Sequence, residues 1–201
     1  MTNSTPARKA GMAGMAGAAV WVLGIIMEYA FGLQPPEAEG PLYIANQLFF
    51  FAAMAAIAFG FLGIYWGGGV SGHFGKISTG MVVLGYALII VGGFLMLFLG
   101  EDESPIFILF PIGGTLMDVG VLLTGIGVAR AANWTGWQRW MPLIYAAFLW
   151  LAIEIPFIAG VTPDGPGMVP EIFMGIGLFM VALATYTAST EETAVPLGAA
   201  S

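Results

Sequence analysis

Long apolar stretches alternate with short polar or Gly/Pro-rich breaks along the chain. A transmembrane helix needs about 20 mostly apolar residues, and six stretches reach that length. They cover approximately residues 10–33, 41–66, 77–99, 105–130, 140–160 and 168–188. In three of them a proline (Pro41, Pro105 and Pro170) lies in the first helical turn, where its missing N–H does no harm. The pattern predicts an all-α, six-helix membrane bundle that forms one domain over residues 1–201, with frayed ends at TNSTPARK and STEETAVPLGAAS.

The composition requires a solvent other than water. Hydrophobic residues make up 59% of the 201 residues and charged residues only 8%, and the mean hydropathy is +0.91. A soluble domain carries roughly 25% charged residues, so the lipid bilayer is the expected partner of this surface. The formal charge of −7 argues against nucleic acid, which attracts clustered Lys and Arg. The absence of cysteine excludes disulfides, thiol catalysis and thiolate metal sites.

The basic residues predict the orientation of the chain in the membrane. In a six-span arrangement they all fall on one side: Arg8, Lys9, Lys76, Arg130 and Arg139. The loops of the other side carry only acids: Glu37, Glu39, Glu101, Asp102, Glu103 and Asp164. Because cytoplasmic loops hold the excess of Lys and Arg, both termini are predicted to be cytoplasmic. An inner aromatic belt would then consist of Trp66, Trp134, Trp137, Trp140 and Tyr186.

Ionisable and amide side chains interrupt five of the six stretches and are the candidates for binding or proton relay. Asp118, in LMDVG, lies near the membrane midplane, about 20 Å from either end of its helix. The other candidates lie in the outer half of the bundle: Glu28, Glu154, Glu171, Asn46 and Gln47. No Lys, Arg or His accompanies them, so each acid is protonated, hydrogen-bonded by amides or hydroxyls, or bound to a cation. All three states predict that the acids face the bundle interior.

Helical spacing supports this interior placement. Two stripes combine an acid with glycines that let another helix approach: Asp118 with Gly114 and Gly125, and Glu28 with Gly17 and Gly24. Pro156 predicts a kink beside Glu154, because proline leaves a carbonyl one turn earlier without its partner.

A structural interpretation stays open for each acid. Asp118 and Glu154 can be neutral and hydrogen-bonded between helices, and Glu28 can be hydrated near the surface. Glu171 can simply complement the dipole of the helix that it opens. These interpretations need no transported ion.

Missing side chains exclude several membrane chemistries. Histidine-ligated haem needs an intramembrane imidazole, and the only histidine, His73, falls in a predicted cytoplasmic loop. A retinal Schiff base needs an intramembrane lysine, a serine hydrolase needs a base beside its nucleophile, and zinc catalysis needs histidine with acid ligands. We therefore expect no cofactor and no metal. Enzyme activity is disfavoured, although acid catalysis by carboxyl groups alone stays open.

Two pairs of segments are similar at one common offset. PLYIANQLFF (41–50) resembles PLIYAAFLWL (142–151), and VLGI (22–25) corresponds to LTGI (123–126). Three-helix halves related in this way would be inverted relative to each other in the membrane, as in many transporters. An inverted 3+3 repeat is therefore a hypothesis for this chain.

The segment GIGVARAANWTGWQRWMPLI (125–144) combines a Gly-rich helix end, a Trp/Arg interface and a proline-started helix. It resembles a segment common in uncharacterised bacterial six-helix, multi-pass membrane proteins. The resemblance covers about a tenth of the chain and transfers no functional residue. It implies a location in the bacterial plasma (inner) membrane.

Two hypotheses for function follow. The first is a small transporter or permease that moves a cation or a proton-coupled solute, with Asp118 as the central group and the outer acids and amides as its approach. The second is a non-catalytic structural or accessory subunit of a larger membrane complex or homo-oligomer, in which the acids hold helices together. Thirty glycines and an Ala/Gly-rich first span motivate the second hypothesis.

Overall fold

The structure, a computed structural model, describes residues 4–33, 40–99, 105–161 and 167–194, and among these it contains helices and turns but no strand. The helices are α1 (Ser4–Phe31), α2 (Pro41–Trp66), α3 (Gly72–Leu99), α4 (Leu109–Ala131), α5 (Met141–Phe148), α6 (Ile155–Ile158) and α7 (Met168–Ala194). A 3₁₀ turn (Pro105–Ile108) precedes α4, and a π-helix (Leu149–Glu154) joins α5 to α6. We call α5, the π-helix and α6 together the fifth span. Six segments are long and apolar enough to cross a membrane, which confirms the predicted number.

Three predicted boundaries move by five or more residues, and each of these changes lengthens a helix. α1 begins at Ser4 and α7 continues to Ala194, although the sequence predicts frayed ends there. α3 begins at Gly72, so His73 lies in its first turn rather than in a loop. Each added turn pairs backbone groups that would otherwise depend on water. The Arg8 guanidinium also donates a hydrogen bond to the Tyr186 hydroxyl at 3.0 Å, which joins the two lengthened helices.

The spans follow one another around the bundle. α2 packs against α1 and α3, α4 packs against α3 and α5, and α7 closes the ring between α5 and α1. Buried apolar side chains from every span meet in one core, among them Ala18, Ile57, Val82, Val121, Leu149 and Val181. Large apolar side chains such as Leu23, Phe98 and Leu151 are also exposed on the outside. A bilayer would solvate that outer surface, whereas water would not.

The Ala/Gly-rich part of α1 packs against other helices of the same chain. A Cβ added at Gly17 would lie 2.7 Å from the Ala53 carbonyl oxygen of α2, and one added at Gly11 would lie 2.8 Å from the Tyr186 backbone nitrogen of α7. Helices approach this closely only where one side chain is missing. The Ala/Gly-rich first span therefore uses its small residues for close packing against α2 and α7.

One end of the bundle carries all five basic residues, and we call it the basic end. Its loops are tied together by hydrogen bonds to backbone carbonyls: the Asn133 amide donates to Gly68 at 2.8 Å, and the Trp134 indole donates to Gly67 at 3.0 Å. Trp134 is only 4% exposed, so its place in the predicted lipid-facing aromatic belt is wrong. The ring belongs to the core, and its indole N–H donates to a backbone carbonyl in the turn after α2. The acidic loops of the opposite end (34–39, 100–104 and 162–166) lie outside the described residues.

Candidate functional site

Asp118 lies near the middle of the fourth span and faces the bundle interior, as predicted. Its side chain is 5% exposed, and its Oδ1 atom is buried without a hydrogen-bond donor among the described residues. The glycines that bring neighbouring helices close differ in part from the predicted ones. A Cβ added at Gly125 would lie 2.8 Å from the Leu143 backbone of α5, and one added at Gly120 would lie 2.7 Å from the Val82 nitrogen of α3, whereas Gly114 faces open space.

Glu154 is the nearest acidic neighbour of Asp118. The two carboxyl groups lie within hydrogen-bonding reach, one from α4 and the other from the end of the π-helix. An ionised carboxylate only accepts hydrogen bonds, so a bond between these two groups forms only when one of them carries a proton. Without that proton, two negative charges face each other inside the bundle. We call Asp118 and Glu154 the carboxyl pair.

The π-helix explains how Glu154 reaches this position. Pro156 has no N–H, so the Ala152 carbonyl one turn earlier lacks its usual helical donor. The Ile155 N–H bonds instead to the Trp150 carbonyl, five residues back, and the helix widens by one residue over this turn. The sequence predicts a kink beside Glu154 because of Pro156, and the structure has a π-helix at this place. Such wide turns are common at functional sites in helices.

Three aromatic side chains surround the carboxyl pair. Tyr86 from α3 and Tyr145 from α5 are buried, and both lie close enough to Asp118 to interact with its charge. The Trp150 indole donates a hydrogen bond to the backbone carbonyl of Asp118 at 3.3 Å, which ties the π-helix to α4. No signal in the sequence distinguishes these residues, because a tyrosine or tryptophan in an apolar stretch resembles any other large core residue.

The remaining candidates form a separate group between α1, α2 and α7. The Gln47 amide donates to the Glu28 carboxylate at 3.3 Å, and Glu171 lies close enough to Glu28 for their charges to interact. Glu28, Gln47 and Glu171 are all partly buried. Asn46, beside Gln47 on α2, is 1% exposed. We call these four residues the outer polar cluster.

The structure therefore divides the six candidates into two sites rather than one continuous outer approach. The carboxyl pair lies between α4 and the fifth span, and the outer polar cluster lies where α1 meets α2 and α7. Neither site has a basic partner, because no ion pair joins two of the described residues and all basic residues occupy the basic end. No three His, Asp or Glu side chains in the described ranges are grouped so that they could hold a metal ion.

Two pockets lie away from both sites. A void of about 10 Å³ is enclosed by residues such as Gly14, Ile57 and Leu178. A pocket of about 270 Å³ opens at the basic end beside Phe74 and Arg130.

No protein-family model, curated protein or solved structure matches this chain. The class of protein is therefore inferred from the helices and the buried side chains of this chain alone. Six apolar helices of spanning length, with the carboxyl group of Asp118 buried inside the bundle, are compatible with a multi-pass helical membrane protein.

Proposed function

We propose that this protein is a small transporter that moves a cation or a proton-coupled solute across the membrane, and that the carboxyl pair is its proton-carrying site. The observation that carries this proposal is the contact between Asp118 and Glu154 in the middle of the bundle, with no basic residue beside it. An ionisable residue at this depth is costly and marks an ion or proton pathway in many membrane proteins.

Electrostatics supports a site that takes up and releases one proton or one cation. Two unit charges 4 Å apart repel by about 4 kcal/mol at an effective dielectric constant of about 20. A proton shared between the two carboxyl groups removes this repulsion and supplies the donor that both otherwise lack. Occupation of the site therefore changes the force between α4 and the fifth span. The π-helix, with its interrupted hydrogen bonds, is where the fifth span can respond to that change.

We also propose that both termini are cytoplasmic, that the protein resides in the plasma (inner) membrane, and that its halves form an inverted repeat. The gathering of all basic residues at one end supports the orientation. The repeat would exchange α1 with α4 and α7 with α3, so it requires the α1–α7 contact to resemble the α3–α4 contact. Both are among the most extensive contacts of the bundle, which supports the repeat. The α1–α2 contact is, however, much more extensive than the α4–α5 contact that the repeat would pair with it.

Flux measurements in proteoliposomes test the transport proposal. Purified protein is reconstituted with a pH-sensitive dye inside the vesicles, and Na⁺, K⁺ or proton gradients are imposed in turn. We expect Asp118→Asn to lower the flux at least tenfold, because the remaining carboxyl group can no longer share a proton with a second acid. Thr115→Val is the matched control, since Thr115 is exposed on the same helix and bonds only to the Pro111 carbonyl. Unchanged flux in Asp118→Asn, or no flux in the wild type under any gradient, refutes the proposal.

One observation favours the second hypothesis, an accessory subunit. Asp118 is only 5% exposed and packs where α3 and α5 come close to α4, as expected if the two acids only hold α4 against the fifth span. Against it, the glycines of α1 are used inside the chain rather than offered to a partner. Native mass spectrometry of protein extracted from its own membrane distinguishes the two. A bound partner subunit or a homo-oligomer supports the accessory role, and a lone folded monomer contradicts it.

A further inference from the structure

Asn46 is a buried amide that the proposed proton site does not use. Both its Oδ1 and its Nδ2 atoms are buried, and neither has a hydrogen-bond partner among the described residues. Burying a primary amide without partners is unfavourable, because the amide loses its hydrogen bonds to water and gains none in return. A leucine of similar size would avoid this cost. A ligand bound to the amide would explain why this position holds asparagine.

Helix pairing directs Asn46 towards the outer polar cluster. α1 and α2 run antiparallel, and successive contacts join Gly17 to Ala53 and then Gly24 to Phe50. Asn46 precedes Phe50 by one helical turn and so lies on the same face of α2, at the next level outward. At that level Gln47 bonds to Glu28, which is one turn beyond Gly24. This register places Asn46 on the face of α2 that packs against α1, at the level of Glu28.

The cluster offers several oxygen atoms and no positive charge. Gln47 uses its Nε2 atom to reach Glu28, which leaves its Oε1 atom able to accept. Glu28 and Glu171 contribute carboxylate oxygens whose charges repel each other. The Asn46 Oδ1 atom adds a further acceptor. Carboxylate and amide oxygens are ligands for hard cations, and a cation held among them would offset the repulsion.

We infer that Asn46, Glu28, Gln47 and Glu171 form a binding site for one dehydrated monovalent cation between α1, α2 and α7. A divalent metal is disfavoured because the described residues contain no group of three metal-ligating acids or histidines. An organic cation is disfavoured because Asn46 is only 1% exposed and so is closed off from the surface. Its role as the transported or coupling ion rests on the proposed transport function, whereas its existence as a binding site does not.

Cation-dependent thermal unfolding in mild detergent tests the site without any gradient. The melting temperature is measured at equal ionic strength in chlorides of Na⁺, K⁺, ammonium and choline, where choline serves as the cation too large to enter. We expect at least one small cation to raise the melting temperature relative to choline, because a ligand that binds only the folded state stabilises it. Isothermal titration calorimetry with the same salts identifies which cation binds.

Asn46→Leu is the decisive variant. If the site exists, this change weakens cation binding at least tenfold and removes the cation-dependent shift. It leaves the melting temperature in choline unchanged or higher, since no protein hydrogen bond is lost. If the amide instead holds a structural water, Asn46→Leu changes the melting temperature equally in all four salts, and the inference is wrong. Glu171→Gln is the second variant: it keeps the size of the side chain and should also weaken binding.

Asp118→Asn separates this inference from the transport proposal. We expect this variant to lose flux but to keep the cation-dependent shift, because Asp118 lies outside the outer polar cluster. Flux without any cation-dependent shift would overturn the cation site and leave the transport proposal standing. A cation-dependent shift that requires Asn46, in a protein that shows no flux, would support the cation site and overturn the transport proposal.

Discussion

The α3–α4 contact allows a sharp test, because one helix contains both a tightly packed and an unpacked glycine. A Cβ added at Gly85 would lie 2.6 Å from the Gly113 carbonyl oxygen and 2.6 Å from the Met117 nitrogen, both backbone atoms of α4. Ordinary contact begins at 3.4 Å, so Gly85→Ala must separate the two helices by about 0.8 Å. Gly80, also in α3, has no atom within 4 Å of an added Cβ.

The two substitutions share the gain in helix propensity and differ in this clash. Alanine improves helix propensity by up to about 1 kcal/mol at either position. Gly80→Ala should therefore be neutral or stabilising, whereas Gly85→Ala should be about 1–3 kcal/mol less stable than Gly80→Ala, the usual cost of overpacking. The flux should fall as well, because Tyr86, the next residue, is displaced from Asp118.

Equilibrium unfolding in mild detergent mixed with increasing SDS, followed by circular dichroism, measures this difference. A second matched pair lies on α4: an added Cβ at Gly113 would lie 2.9 Å from the Gly85 carbonyl oxygen, and one at Gly114 would face open space. Gly113→Ala should destabilise the protein and Gly114→Ala should not. If Gly85→Ala and Gly80→Ala unfold at the same SDS fraction, α3 and α4 are not in backbone contact and the placement of Tyr86 beside Asp118 is wrong.

Two further predictions concern the basic end and use the same unfolding assay. Arg139→Met should destabilise the protein by about 1.5–3 kcal/mol, since Arg139 donates two hydrogen bonds, at 2.9 and 2.6 Å, to the Ala129 carbonyl near the end of α4. Arg139→Lys should recover only part of this loss, because lysine cannot donate both hydrogen bonds in the same geometry. Full recovery by lysine would contradict the importance of the two hydrogen bonds. Trp134→Phe should cost about 0.5–1.5 kcal/mol through loss of the bond to Gly67, whereas Trp137→Phe, at a ring that is 42% exposed, should cost less; equal effects would contradict the buried role of Trp134.

Much of the fold is predictable from the sequence because the length and polarity of a span are local properties. The prediction for α2 matches its observed bounds, Pro41–Trp66, since a proline opens the span and glycines close it. The lengthening of α1 and α7 was not predictable in the same way. The contact that joins these two helices, between Arg8 and Tyr186, links residues at opposite ends of the chain, and no local pattern reveals it.

The candidate site was predictable in its members but not in its grouping. Acids without a basic partner stand out in an apolar stretch, and Asp118 is buried as that reasoning requires. Their division into a carboxyl pair and an outer polar cluster depends on which helices are neighbours. Tyr86 and Tyr145 were missed because their role comes only from their proximity to Asp118.

The sequence by itself determined that this chain forms six apolar helices, that its basic residues gather at one end, and that several acids lie among apolar residues. Each of these follows from the free energy of transferring side chains between water and lipid, which depends on the residue and its place along the helix. Only the tertiary structure decided that Asp118 meets Glu154 and that Gln47 bonds to Glu28. In a bilayer every apolar helix face is equally well solvated by lipid, so the choice of partners falls to close packing at glycines such as Gly17 and Gly85 and to a few interhelical hydrogen bonds.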